Sequence, residues 1–569
     1  MKIPSRLIVV LLVLAFVLVL FPQSQAQLMH NTGSGSDMPT PYVITPASGS
    51  ISALVAAQPP GTAFSLGCGT YRMQAPISPM AGDTFVGAGA ISGVPSRPPC
   101  AHLTGAMVIS NWTHITSPSS LWYNTVAASN IVSKPAGACL VGVSSGGSGA
   151  CTRVGGCSYP QDLFFDSVIK TRITAGDNNT ADNWPPAPGY WYLDISGKHG
   201  PANTVYVADD PTGKTVELEV VQFAFVGPNG GVTIQNLTLE KFASPYQHGI
   251  IDNGGDKWRV LNNWITHGHG YGIKPNPSNP YNGGHVPRNN LVDSNEFMEN
   301  GQAGFGDGRD IGSTYSNNDL TRNGEVSFCY GGEGGNKFVG TNLNITGNTV
   351  NYENGTGLWT DSDATGDTFS NNTVIGSLAE GIRCEISHYC TIIDNRLIND
   401  IELSNNACVA AHVPLENGND CCTGPQTGTC GTACSRGGPD EISSAQSDHS
   451  TIGESGHGNS ITSNCGGILV SVGTRDSVPT TDNHVLYNDI TFTGNGGTPV
   501  PHPYGVVGSP GASTTNDVFD HNTHHFQGAG AGAQRAKIWG WFDGSANTLN
   551  TFSKWQALQQ DVNSSAETR

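Results

Sequence analysis

From about residue 230 the chain repeats one unit: a short alternation of apolar and polar residues, an Asn, a second short alternation, a Gly or polar turn, and a small-apolar step. VTIQNLTL, WRVLNNWI, LVDSNEFM, STYSNNDL, LNITGNTV, TFSNNTVI, CTIIDNRL, HVLYNDIT and DVFDHNTH are its members. Period-two alternation over such lengths predicts β-strands buried on one side. The repeated Asn falls at 236, 263, 295, 318, 348, 372, 395, 488 and 522, so the intervals from 236 to 395 are 27, 32, 23, 30, 24 and 23 residues. The gap from 395 to 488 holds a Cys-rich stretch and a weaker unit, GNSITSN, at 458–464.

Strands this short cannot enclose a core alone, and no amphipathic helix of useful length separates them. Such units bury their apolar face only by stacking on copies of themselves. The pattern predicts an all-β fold, a right-handed parallel β-helix (solenoid) in which the Asn side chains bond to turn backbone above and below. Leucine-rich repeats would need a Leu spacing that is absent, and a β-propeller would need longer antiparallel blades.

Upstream, PGTAFSLGCGTYRMQAPISPMAGDTFVGAG (60–89) resembles the first coil and cap of secreted β-helix polysaccharide enzymes. CSYPQDLFFDSVIKTRI, PGYWYLDISGKHGPANTVYVADDPTGKTVELEV and the closing FSKWQALQQDVNSS look like segments of the same group. From about residue 42 to 565 the chain thus resembles secreted right-handed parallel β-helix repeat proteins of the pectate-lyase-like superfamily. The resemblance implies an N-terminal cap and first coils over 27–110, a β-rich elaboration of the early coils over 111–225, and the β-helix core over 226–540. A disulfide-rich loop insertion is expected at about 405–465 and a C-terminal cap and tail at 541–569. The superfamily includes lyases, hydrolases and uronan epimerases, so the resemblance speaks for fold and not for one reaction.

Stacking makes equivalent positions on successive coils neighbours at about 4.8 Å. We align the units on their small-apolar step: His248-Gly-Ile-Ile-Asp252, Tyr271-Gly-Ile-Lys274, Ala303-Gly-Phe-Gly-Asp307, Thr356-Gly-Leu-Trp-Thr-Asp361 and Glu380-Gly-Ile-Arg-Cys-Glu385. Alternation then puts Lys274, Trp359, Asp361, Arg383 and Glu385 in one outward column. A flat Trp359 face suits a sugar ring. Asp361 and Glu385 on adjacent coils suit the carboxylate spacing of retaining glycoside chemistry, about 5 Å. Arg383 and Lys274 could hold a uronate carboxylate. Glu333, Lys337 and His388 fall in turns near that face, and His248 and His267 are acid or base candidates one and two coils away. The competing reading is a solvated ladder of cross-strand ion pairs.

Asp361-Ser-Asp363-Ala-Thr365-Gly366-Asp367 begins like a helix-loop-helix calcium loop, but its twelfth position is Asn372 and strands flank it. A simpler Ca2+ site using Asp361, Asp363 and Asp367 is the one cofactor candidate. Gly268-His269-Gly270 matches a three-residue polygalacturonase motif without its upstream partners, and is read as chance in a Gly-rich chain.

Residues 1–26 place Lys2 and Arg6 before an apolar run, Leu7 to Phe21, and end in Ser24-Gln25-Ala26, the pattern of a secretory signal peptide. An exported protein, extracellular or periplasmic and without membrane insertion, is expected. Removing that segment takes two of 26 basic residues and none of 45 acidic ones, leaving a formal charge of −21. Nucleic acid and anionic membranes are therefore excluded as partners. In an exported chain the fourteen cysteines read as disulfides. The function this supports is polysaccharide binding along the side of a monomeric β-helix with cleavage there, by a lyase or a hydrolase and preferentially on a uronate-containing chain. The alternative is a non-catalytic glycan-binding, adhesion or structural β-helix.

Overall fold

The computed structural model describes residues 40–569 apart from 89–97, 118, 133–159, 174–181, 325–334, 354, 378–379, 400–418, 421–423, 426–441, 464–466, 473–479, 494–503, 509–513, 528–538, 543–546 and 569. Two sheets of thirteen strands each run through the chain, the first from Tyr42–Ile44 to Val518–Asp520 and the second from Gly69–Arg72 to Ser565–Thr568. A third face is built in two runs. Phe225–Gly227, Gly249–Asn253, Tyr271–Ile273 and Ala303–Phe305 form the first, and Asn336–Phe338, Leu358–Thr360 and Ile382–Glu385 open the second. The chain visits the faces in turn, as in Thr368–Ser370, Thr373–Ile375, Ile382–Glu385 and back to Thr391–Ile393. Each strand pairs in parallel with its copy one coil later, Ile345 with Phe369 and Phe369 with Ile392. The protein is a right-handed parallel β-helix.

Apolar side chains from all three faces meet in the middle and stack coil on coil. Phe64 lies 4.9 Å from Phe85, and Phe305 lies 5.4 Å from Phe338, all without solvent contact. Sheet strands of three residues suffice because each contributes one inward residue to a core shared along the stack.

The recurrent Asn turns the corner between the first and second sheets. Asn263, Asn295, Asn318, Asn348, Asn372, Asn395, Asn459, Asn488 and Asn522 form a continuous ladder. In it each Oδ1 accepts the backbone N–H of the preceding Asn, at 2.9–3.1 Å. The same Oδ1 accepts the preceding Nδ2–H, as Asn372 does from Asn348 at 3.0 Å. Rungs span 23–34 residues except one of 64, from Asn395 to Asn459, which holds the Cys-rich insertion. The residue before each rung often has positive φ, as at Asn262, Ser294, Asn317 and Asn371. Asn236 corrects the sequence reading: with φ 59° it is that turn residue, and Leu237 takes the rung position, its N–H bonded to Asn263 at 3.0 Å.

Between Ala101–Thr104 of the second sheet and Phe225–Gly227 of the third face the chain builds a separate eight-stranded sheet. Its strands include Ala106–Ile109, Leu163–Phe165, Tyr190–Asp194, Thr204–Val207 and Val216–Glu219, mostly antiparallel, around their own core of Leu163, Trp191, Val205 and Leu218. At the start of the stack the helix Ile51–Ala56 is capped by Ser50 and buries Ile51 and Val55 against the core. At its end the helix Phe552–Ala557 buries Trp555, whose indole N–H donates to Asp561 at 2.8 Å. Asp561 also accepts from Asn522 at 2.9 Å, which closes the ladder.

Disulfides join Cys68 to Cys100 and Cys384 to Cys390. Cys408, Cys421, Cys422, Cys430, Cys434 and Cys465, expected to staple the insertion, lie outside the described residues. Among the described residues no helix is long and apolar enough to cross a membrane.

Candidate functional site

On the third face Lys337, Trp359 and Arg383 pair in register on three neighbouring strands. Each is flanked by buried residues, Asn336 and Phe338, Leu358 and Thr360, Ile382 and Cys384, so alternation turns these three side chains outward. The Trp359 ring has a cation over it from either neighbouring coil, Lys337 Nζ at 4.2 Å and Arg383 Cζ at 5.6 Å from its centroid. Its indole N–H has no hydrogen-bond partner.

Asp361 follows Leu358–Thr360, and because Thr360 pairs with Cys384 the next step of the register sets Asp361 beside Glu385. Their surroundings differ from an open outward column. Asp361 is 2 % exposed and Glu385 5 %. The Asp361 carboxylate is ion-paired with Lys337 and accepts the Ser362 N–H at 2.7 Å. Arg383 forks between Glu385 at 3.0 Å and Glu380 at 2.7 Å, and Glu380 also accepts the Thr356 hydroxyl at 2.9 Å. The column is therefore two carboxylates beneath the cations that neutralise them, with Trp359 between those cations. Arg383 is thus an ion-pair partner of Glu385 and Glu380.

Three coils before Asp361, Lys274 is also buried, not solvent-facing. Its Nζ donates to Gln247 Oε1 at 2.8 Å and lies 4.3 Å from the centre of the Tyr271 ring. Burial lowers its pKa to about 8, against the opposing pull of the Asp307 carboxylate and with help from the positive charge of Lys337. Asp307 accepts three backbone N–H groups on Oδ1 while Oδ2 has no partner, and burial raises its pKa to about 6. His248 Nδ1 lies 2.7 Å from Asp252 Oδ2, and Asp252 Oδ1 accepts from Asn282 at 3.0 Å.

The other candidates go elsewhere. His267 follows a second-sheet strand, pairs with Glu299 at 3.2 Å and sets its ring against Phe164, away from Trp359. His388 turns the corner between the third face and the first sheet and bonds Asp448 at 2.8 Å. Glu333 lies outside the described residues.

Asp361, Asp363 and Asp367 do not form the expected calcium site. Asp361 is spent on Lys337, Asp363 stands exposed in a turn with φ 64°, and Asp367 points inward, accepting the Leu343 N–H and the Thr360 hydroxyl. Residues that sequence reasoning left out are Glu380, Asp252, Asp307 and Gln247. The first three stood in the aligned steps; Glu380 and Asp307 flank their strands, where alternation does not apply, whereas Asp252 lies inside Gly249–Asn253.

No family model matches the sequence, and neither does any curated protein sequence. Among solved structures the chain is similar to XylC in complex with xylose, with 12% identity and a TM-score of 0.51 over 85% of this chain and 84% of that one. It also matches the mannuronan C-5 epimerase AlgE6 A-module of Azotobacter vinelandii (12% identity, TM-score 0.41, 83% and 87% covered) and a glycoside hydrolase (9%, 0.40, 80% and 89%). At these identities the likeness is one of fold.

Proposed function

We propose that the protein is an exported carbohydrate-active enzyme that hydrolyses a polysaccharide on its third face, with Asp361 and Glu385 as the carboxylate pair. The observation that carries this reading is the register. Equivalent backbone positions on adjacent parallel strands lie about 4.8 Å apart, a spacing that lets two acids reach the roughly 5–5.5 Å carboxyl separation of retaining glycosidases. Asp361, ion-paired with Lys337, serves as nucleophile. Glu385 serves as the acid that protonates the leaving oxygen, after Arg383 swings fully to Glu380. Trp359 offers the sugar a ring face once the Arg383 guanidinium leaves it for Glu380.

A second reading is β-elimination on a uronate chain. It is favoured by Lys274, a buried amine with a pKa of about 8 beside a further cation, which fits a base working near neutral pH. Purified protein incubated with neutral and uronic-acid polysaccharides separates these readings. Reducing ends without unsaturation support hydrolysis, and ultraviolet absorbance of unsaturated ends supports elimination. Binding without either product would leave a glycan-binding module.

A further inference from the structure

The junction between the accessory sheet and the β-helix carries a group of side chains that the proposed reaction does not use. Asp162, Glu219 and His269 each offer a ligand atom, and those atoms lie within 4.8 Å of one another. All three residues are buried, His269 and Glu219 with 0% exposure and Asp162 with 6%. They come from distant parts of the chain. Asp162 precedes the accessory strand Leu163–Phe165, Glu219 ends Val216–Glu219, and His269 joins Trp264–Thr266 of the second sheet to Tyr271–Ile273 of the third face.

His269 Nδ1 lies 2.8 Å from Asp162 Oδ2, and the Asp162 N–H donates to Glu219 Oε2 at 3.1 Å. Glu219 Oε1 has no hydrogen-bond partner. Two carboxylates in a buried junction need positive charge or a proton, because a buried unpaired charge is among the costliest arrangements in a protein. Lys241, whose charge also acts on Glu219, is itself paired with Glu217 at 2.6 Å and lies 3.5 Å from Glu240.

We propose that Asp162, Glu219 and His269 bind a divalent transition-metal ion of the zinc type, which ties the accessory sheet to the β-helix. One imidazole nitrogen and two carboxylates make a mixed N/O donor set that such ions accept, leaving a fourth position for water, whereas calcium takes oxygen ligands alone. On binding, the metal displaces the proton between His269 and Asp162 and takes the unpartnered Glu219 oxygen. Its role is structural, since the site lies at the accessory junction and not beside Trp359.

The test uses the full chain, stripped with chelator and titrated with zinc, with calcium as control. Wild type is expected to bind one equivalent of zinc, to gain about 2–4 °C in Tm at saturating metal, and to show visible d–d bands when loaded with cobalt. Glu219→Gln keeps the shape and the acceptor for the Asp162 N–H, and His269→Gln removes the nitrogen. Each is expected to weaken zinc binding at least tenfold and to lose the Tm gain. Calcium should do neither. No stoichiometric zinc on wild type would overturn the proposal, and so would unchanged affinity in Glu219→Gln, because the trio would then be a hydrogen-bonded cluster carrying its own proton.

Discussion

Replacing Asn348 by Ala removes one rung from the middle of the asparagine ladder. Its side chain donates to the Tyr315 carbonyl at 2.9 Å and to Asn372 Oδ1 at 3.0 Å, and accepts from Asn318 N–H at 3.0 Å and Asn318 Nδ2 at 2.9 Å. Asn348 is 1 % exposed, so water cannot replace these partners without opening the corner. The Asn318 N–H would be left buried and unmatched and the Tyr315 carbonyl would lose its side-chain donor, at about 1–3 kcal/mol each. Adding the small void, the loss should be about 3–5 kcal/mol. Urea unfolding followed by circular dichroism measures it, with Asn344→Ala, an exposed Asn on the adjoining first-sheet strand, as the control expected to stay within about 0.5 kcal/mol. Because each coil touches only its neighbours, the substitution should also split a cooperative transition into two. A loss below about 1 kcal/mol, or one equal to the control, would refute the claim that the Asn corner holds the stack together.

Further outcomes follow from the same geometry. Trp359→Ala should weaken polysaccharide binding about tenfold, measured as KM, while leaving Tm nearly unchanged, since the ring packs against cations and not the core. Burial raises the pKa of Asp310 and of Asp367 to about 7 each. Carboxyls raised in the folded state stabilise it below the unfolded value and lose that contribution as pH rises through the folded one. Tm should therefore fall between pH 4 and pH 8, and Asp367→Asn should flatten that slope in a calorimetric series. Calcium removal with a calcium-selective chelator should leave turnover unchanged, because Asp361, Asp363 and Asp367 diverge; calcium-restored activity would show otherwise.

The fold was legible because an Asn that must face a turn at every coil leaves a period in the sequence even when coil lengths vary. Asn236 was misread for a physical reason. The position before each rung also favours Asn, as in Asn262-Asn263, Asn317-Asn318 and Asn371-Asn372, since Asn tolerates the left-handed conformation. A lone Asn in the first unit could belong to either place. Alternation likewise brought Asp361 and Glu385 to adjacent coils, but it cannot tell which cation pairs with which acid. Lys337 lies one coil before Asp361 across a stretch with no clear period, so its claim on that carboxylate was invisible. Asp162, Glu219 and His269 come together through an inserted sheet that breaks the repeat, 107 residues separating Asp162 from His269. No pattern in sequence predicts such a meeting.

Glycosidic cleavage is proposed to need Asp361 and Glu385 together. Its most direct measurement is release of reducing ends from the substrate found in the polysaccharide screen, for wild type, Asp361→Asn, Glu385→Gln and the double variant, with folding checked by circular dichroism. Wild type should turn over, each single variant should lose at least about a thousandfold, and the double variant should be no worse than the singles. A folded double variant that still releases reducing ends at the wild-type rate would contradict the account.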